Sequence, residues 1–205
     1  MSPPSAVQRA YTHVADAIIS GGLAASSLVT EGEVAARLGM SRTPVREAFL
    51  SLEAHGLIRL FPKKGAIVTA IDDEEVADLL QVRIMLETTA VQLLSDRADG
   101  GAAHDMLQPL ILAQSEAAAS GDLLSFALTD HRFHAGVVHQ ANNRIIESIY
   151  AQLGPRLERL THRVVSRDRS NLDRLLAEHR TLAGHLESGD IRAYEIALRA
   201  HVAER

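Results

Sequence analysis

Between Thr30 and Gly56 the stretch "TEGEVAARLGMSRTPVREAFLSLEAHG" contains two short amphipathic segments separated by a glycine-containing turn. Thr30 is a good N-cap, and Glu33 three residues on completes a capping box. Gly39 after Leu38 is a stop signal, so this helix is only about two turns long. Ser41 opens the next helix with Pro44 in its first turn, where the missing N–H has no partner to lose. Val45, Ala48, Phe49 and Leu52 form its apolar stripe, Arg42, Thr43, Arg46 and Glu47 lie largely on the other side, and Gly56 ends it. Two short helices, a tight turn and a polar-fronted second helix make a helix-turn-helix pattern.

The flanks extend that pattern. A preceding helix is expected from Val7 to Ser20, because Tyr11, Val14, Ala15 and Ile18 recur at three- and four-residue spacing before Gly21 and Gly22 stop it. Downstream, "LIRLF" and "AIVTAI" read as two strands around the tip "PKKG", a hairpin with two lysines at its end. A helix N-terminus carries partial positive charge and free N–H groups, so it suits a phosphate. Arginines there can reach phosphates or guanine edges in a major groove, and hairpin lysines can hold the adjacent backbone. A solvated helix face is the ordinary explanation of a lone "RxxxR". The conjunction of cap, turn, arginines and basic hairpin favours DNA.

Charge is divided unevenly. Residues 1–71 carry seven basic and five acidic side chains, whereas residues 72–205 carry fourteen and twenty-one. A mildly basic domain over 1–71 and an acidic one over 72–205 suggest two jobs, with the junction near "TAIDDEE". Only 3% of residues are aromatic, so the core must be built from Leu, Ile, Val and Ala, which favours helices. The absence of cysteine excludes disulfides and thiolate metal ligands. The N-terminus lacks the pattern of a secretory signal, and no apolar run is long enough to span a membrane, so a cytoplasmic protein is expected.

The stretch "SRTPVREAFLSLEAHGLIRLFPKKGAIV", within residues 6–71, resembles the winged-helix DNA-binding domain of GntR-family transcription regulators. The resemblance implies that Ser41, Arg42, Thr43 and Arg46 are recognition-helix contacts and that Lys63, Lys64 and Gly65 are wing contacts. There is one departure. Many members carry "ER" at the start of the second helix, and that arginine also touches DNA. Here the pair is Glu31-Gly32, which implies weaker binding or an altered operator sequence.

From Asp72 onward the pattern is helical throughout. "DEEVADLLQVRIMLETTAVQLLSDRA" reads as one amphipathic helix, with Val76, Leu79, Leu80, Ile84, Leu86 and Val91 as its apolar positions. A helix over "AHDMLQPLILAQSEAAASG" is expected to kink or break at Pro109. Asp122 and Asn143 cap the next two, the second bent or divided at Gly154-Pro155. Two further helices close an all-α set around the turn "SGD". Asp130 and His134 are four apart and share a helix face. His179 lies ten residues before Gly189 and His201 twelve after it, about 15 and 18 Å along their helices. An antiparallel hairpin would set them at similar height. Three imidazoles and a carboxylate suit Zn²⁺ or another first-row divalent ion, although most helical histidines are surface or core residues. His131 points about 100° from Asp130 and is expected not to be a ligand. No partner is evident for His139, His162 or His185.

"LLQVRIMLE", "DHRFHAGVVHQANNRII" and "AEHRTLAGHLESGD" resemble the helical effector-binding FCD domain of the FadR branch, over about residues 72–205. Members with a D-x-x-x-H element and two later histidines bind a metal in the bundle centre, which implies Asp130, His134, His179 and His201 as ligands. Zinc is the first expectation, with nickel or manganese as alternatives. Such members sense small organic acids whose carboxylate approaches the metal. Arg83 resembles the family arginine facing this cavity, while a salt bridge to Glu87 is its plain structural role. The chain ends four residues past His201, which implies a short last helix or a trimmed end.

The fold expected is therefore mainly α, with an N-terminal winged helix-turn-helix carrying a small β-hairpin wing and a C-terminal all-α antiparallel helical bundle. The function expected is a ligand-responsive regulator, most often a repressor, binding palindromic double-stranded operator DNA as a homodimer. One rival is a regulator for which the metal ion itself is the signal, and another holds a purely structural metal. A third is a metal-dependent hydrolase, for which Glu178 is the only general base the sequence offers.

Overall fold

The computed structural model of the protein describes residues 3–95 and 100–203, with residues 95 and 100–104 as backbone alone. Two compact units divide at residues 72 and 73.

The first unit begins with α1 (Ala6–Ile19), which starts where the Ser5 hydroxyl accepts the Gln8 N–H. Its apolar face (Ala10, Val14, Ala15, Ile18, Ile19) is buried, and the helix packs on α3 (Arg42–Ala54). Between them lies α2 (Glu31–Leu38), opened by a full capping box. The Glu33 N–H donates to Thr30 Oγ1 at 3.3 Å, and the Thr30 N–H donates to Glu33 Oε2 at 3.1 Å. Gly39 closes α2 in the left-handed region, with φ of 62°. Ser41 stands at the N-cap position of α3 but makes no capping hydrogen bond.

A three-stranded antiparallel sheet completes the unit, in the order β1 (Leu28–Val29), β3 (Gly65–Val68), β2 (Ile58–Phe61). Leu60 pairs with Ala66, and Leu28 pairs with Ile67. The hairpin is the one expected from the sequence, whereas β1 was not anticipated. A two-residue strand is too short to show alternation. β1 also explains Gly65. A Cβ there would stand 2.7 Å from the Val29 carbonyl oxygen, and φ is 105°, so only glycine fits between the strands.

The second unit is helical throughout its described residues: α4 (Asp73–Ser95), α5 (Gly100–Ser120), α6 (Leu123–Gln140), α7 (Arg144–Arg167), α8 (Ser170–Glu187) and α9 (Ile191–Ala203). Asp122 caps α6 through the Ser125 N–H, and Asn143 caps α7 through two N–H groups. The expected long helix ends at Ser95 in its described part, and residues 96–98 of that reading lie outside the described residues. Helix α6 packs against α4, α5 and α7, while α8 packs against α5 and α9.

Two expectations are corrected. Of the kink or break expected at Pro109 and the bend or division expected at Gly154-Pro155, the break and the division do not occur, because α5 and α7 run through both prolines. The backbone carbonyls deprived of a donor belong to Asp105 and Ala151, both exposed residues where water can serve. The inner face of α4 is also less apolar than expected. Val76, Leu79, Leu80 and Val91 are buried, but Ile84 and Leu86 are only half-buried, and Arg83 and Glu87 are fully enclosed. Those two polar positions mark where the helix faces the site.

Candidate functional site

One turn apart on α6, Asp130 and His134 are both buried. His179 of α8 and His201 of α9 meet them across the bundle, and one ligand atom from each of the four lies within 4.8 Å of the others. His134 Nε2 is 3.0 Å from His179 Nε2, which is 3.4 Å from Asp130 Oδ1. Donor atoms around a tetrahedral zinc ion lie about 3.3 Å apart, given metal–nitrogen bonds of about 2.0 Å.

The outward-facing atoms are equally ordered. His134 Nδ1 lies 2.8 Å from Glu87 Oε2, His179 Nδ1 lies 2.6 Å from Gln114 Oε1, and His201 Nδ1 lies 2.6 Å from Glu178 Oε2. Carboxylate and amide oxygens accept, so each ring donates an Nδ1–H outward and turns its Nε2 inward. The Thr161 hydroxyl donates to Asp130 Oδ2 at 3.0 Å, holding the carboxylate with Oδ1 toward the imidazoles. Phe133 stacks on His179 at 4.2 Å and fixes that ring plane. Three imidazole Nε2 atoms converging beside a carboxylate, each ring held by an outer acceptor, form a group that could hold a metal ion.

Glu87 is the hub behind the cluster. Its Oε1 accepts from Arg83 Nε and from the Tyr150 hydroxyl, each at 2.8 Å. Arg83 Nη2 is 3.4 Å from His201 Nε2, so the guanidinium joins the ion pair and borders the cluster at once. Burial disfavours its charge, but Glu87 beside it more than offsets that penalty and holds Arg83 protonated. The same burial, with the Glu87 charge nearby, raises the Tyr150 and Tyr194 hydroxyls well above their usual range. The Gln114 amide nitrogen is buried with no hydrogen-bond partner among the described residues.

Glu178 does not suit the role of general base. Its Oε2 holds His201 Nδ1 and its Oε1 accepts from Arg174 Nη1 at 2.9 Å, so it stands behind His201 rather than at an open face. His131 stacks on Tyr150 and rests on Gly154, where burial lowers its pKa to about 4. His139, for which no partner was evident in the sequence, pairs with Glu147 at 3.2 Å. Sequence reasoning missed Gln114, Tyr150 and Thr161. None belongs to a local motif, and only the folded bundle brings them in.

The first unit presents a second surface. A groove of about 740 Å³ is lined by Arg42 and Arg46 of α3, by Thr30, Glu31 and Gly32 at the start of α2, and by Lys63, Lys64 and Gly65 of the hairpin turn. Ser41 and Thr43 are exposed on the opening turn of α3 but do not line the groove. Arg42, Arg46, Lys63 and Lys64 are all exposed.

Residues 6–68 match the family described as bacterial regulatory proteins, gntR family, and residues 78–204 match the FCD domain. A probable D-xylose utilization operon transcriptional repressor of Paenarthrobacter nicotinovorans is 33% identical over 91% of this chain and 80% of its own length. The gluconate operon transcriptional repressor of Bacillus subtilis is 28% identical over 69% of this chain and 57% of its own length. Among solved structures, Escherichia coli McbR/YncC superposes with a TM-score of 0.81 at 21% identity, covering 98% of this chain and 95% of that one. At that identity the likeness speaks for the fold. No described helix is long and apolar enough to cross a membrane.

Proposed function

The chain belongs to the gntR family of bacterial regulatory proteins, carries its FCD domain, and is a transcription regulator rather than an enzyme; from that premise we propose that it is a metal-dependent, carboxylate-responsive repressor acting as a homodimer. The observation that carries this reading is the inward convergence of His134, His179 and His201 Nε2 beside Asp130, with every Nδ1 held from outside. These four residues would hold a divalent ion, zinc before nickel or manganese. When bound, it supplies a Lewis-acidic position for a ligand oxygen.

Charge argues for the class of effector. Asp130, Glu87 and Arg83 sum to one negative charge, and a divalent cation among them would leave one positive charge. A small organic acid suits that balance, with Arg83 placed to receive part of its carboxylate. The relatives named as repressors of D-xylose and gluconate operons support repression of a catabolic operon.

On the DNA side, Ser41, Arg42, Thr43 and Arg46 would enter the major groove, and Lys63 and Lys64 would hold the neighbouring backbone. Gly65 serves by letting the turn close against β1. Two copies related by a two-fold axis would read a palindrome. Control requires that effector binding differ between the DNA-competent and DNA-incompetent states.

The test begins with a duplex selected by the wild-type protein from a random-sequence pool. Zinc-loaded protein is then titrated with a panel of small mono-, di- and hydroxycarboxylates. At least one acid is expected to weaken duplex binding in the wild type and to have no effect in His134→Ala or Arg83→Ala. An acid that releases DNA equally from wild type and His134→Ala would refute the metal-dependent part.

A further inference from the structure

Gly32 is the second residue of α2, a helix of only eight residues. Glycine there is a poorer helix former than alanine. The backbone does not require it, because Gly32 is absent from the residues of positive φ. What distinguishes the position is the space above its Cα. A Cβ built there would lie 3.3 Å from Arg42 Nη2, 3.7 Å from Cζ and 3.8 Å from Nε. Three atoms of one guanidinium at such similar distances mean that the group lies across the bare Cα.

Arg42 is the first residue of α3 and is exposed, with a long flexible side chain. Free in water, such a side chain samples many rotamers, and ordering it on DNA costs entropy. Seated on Gly32, it is directed along the groove that Arg46, Lys63 and Lys64 also line.

We propose that Gly32 is a specificity-determining position: its missing side chain is the seat that aims the Arg42 guanidinium at the operator. This rests on the reading of α3 as the recognition helix. The seat couples α2 to base reading without α2 itself contributing a long side chain. An alanine Cβ at 32 would press the guanidinium by a few tenths of an ångström and a leucine side chain would displace it, while the α2 helix would gain from a better helix former. Stability and operator discrimination should therefore move in opposite directions, which a merely structural glycine would not produce.

The experiment uses the full chain. Binding sites are selected from a random duplex pool for wild type, Gly32→Ala, Gly32→Leu, Arg42→Ala and the Gly32→Leu/Arg42→Ala double variant, with melting temperatures measured in parallel. Arg42→Ala should lose roughly ten-fold or more discrimination at the base pair it reads. Gly32→Leu should lose most of the same preference at the same base pair, Gly32→Ala part of it, and both should melt at or above the wild-type temperature. In the double variant the leucine should add nothing to the loss caused by Arg42→Ala, because the seat has no occupant. Wild-type preference and affinity in both Gly32 variants, with the preference lost in Arg42→Ala, would overturn the proposal alone. Wild-type behaviour of Arg42→Ala and Arg46→Ala would overturn the recognition-helix reading, and this inference with it.

Discussion

The Glu87 carboxylate of α4 accepts the Nδ1–H of His134 on α6 at 2.8 Å while its other oxygen holds Arg83. One fully buried side chain thus sets the tautomer of a candidate ligand and the position of the candidate effector arginine. Any displacement of Arg83 by an incoming carboxylate would be felt at Glu87, and through it at His134. That chain of contacts would give a carboxylate effector a physical route to the His/Asp cluster within the helical unit.

Replacing Glu87 with glutamine should therefore have two effects. Metal affinity should fall about 10- to 100-fold, the usual cost of losing an outer-shell acceptor. The apo protein should also lose about 3 kcal/mol or more, because Arg83 would remain buried beside a neutral partner. Chelator competition reads the first effect and urea denaturation the second. Wild-type metal affinity in Glu87→Gln would mean that His134 needs no help from this contact.

Metal should stabilise the folded chain. Binding to the native state alone raises stability by about 2.7 kcal/mol at a hundred-fold excess over the dissociation constant. Thermal melts in zinc should shift upward for wild type, return after chelation, and show no shift in His134→Ala. An equal shift in that variant would place the bound metal elsewhere.

The two arms of the groove should differ in how they use DNA. Arg46→Ala should cost roughly ten-fold or more on the selected operator and relax its sequence preference. Lys63→Ala should weaken all sequences alike and reduce the salt dependence of binding by about one counterion. Titrations at several salt concentrations separate the two behaviours. Sequence-selective loss in Lys63→Ala would reverse the assignment of wing and helix.

Gly154→Ala tests the α6–α7 contact. A Cβ at 154 would stand 2.6 Å from His131 Nε2, inside contact distance of a ring held between Gly154 and Tyr150. Overpacking of this kind costs about 1–3 kcal/mol. The variant should melt below wild type while keeping its metal, since His131 is not among the four clustered groups.

Much of this was legible in the sequence for identifiable reasons. The Thr30–Glu33 capping box, Gly39, Pro44 and the Asp122 and Asn143 caps are local devices whose meaning does not depend on the rest of the fold. Asp130 and His134 share a face by helical spacing, and the equal arms about Gly189 set His179 and His201 at one height, where their rings lie 5.1 Å apart. What escaped is tertiary. Gln114 lies sixty-five residues from His179 and carries no motif. β1 is two residues long and exists only because β3 offers it an edge. The prolines break neither helix because the carbonyls they deprive of a donor belong to the exposed residues Asp105 and Ala151, which the sequence alone does not reveal. Gly32 read only as a missing arginine until the Arg42 guanidinium was found lying over it.

The most direct measurement is elemental analysis of freshly purified wild-type protein and of His134→Ala. The metal-site reading predicts about one divalent ion per chain in the wild type and a loss of it in the variant. Wild-type protein that holds no metal after reloading with zinc, nickel or manganese would contradict it, and the convergence of the three imidazoles would need another cause.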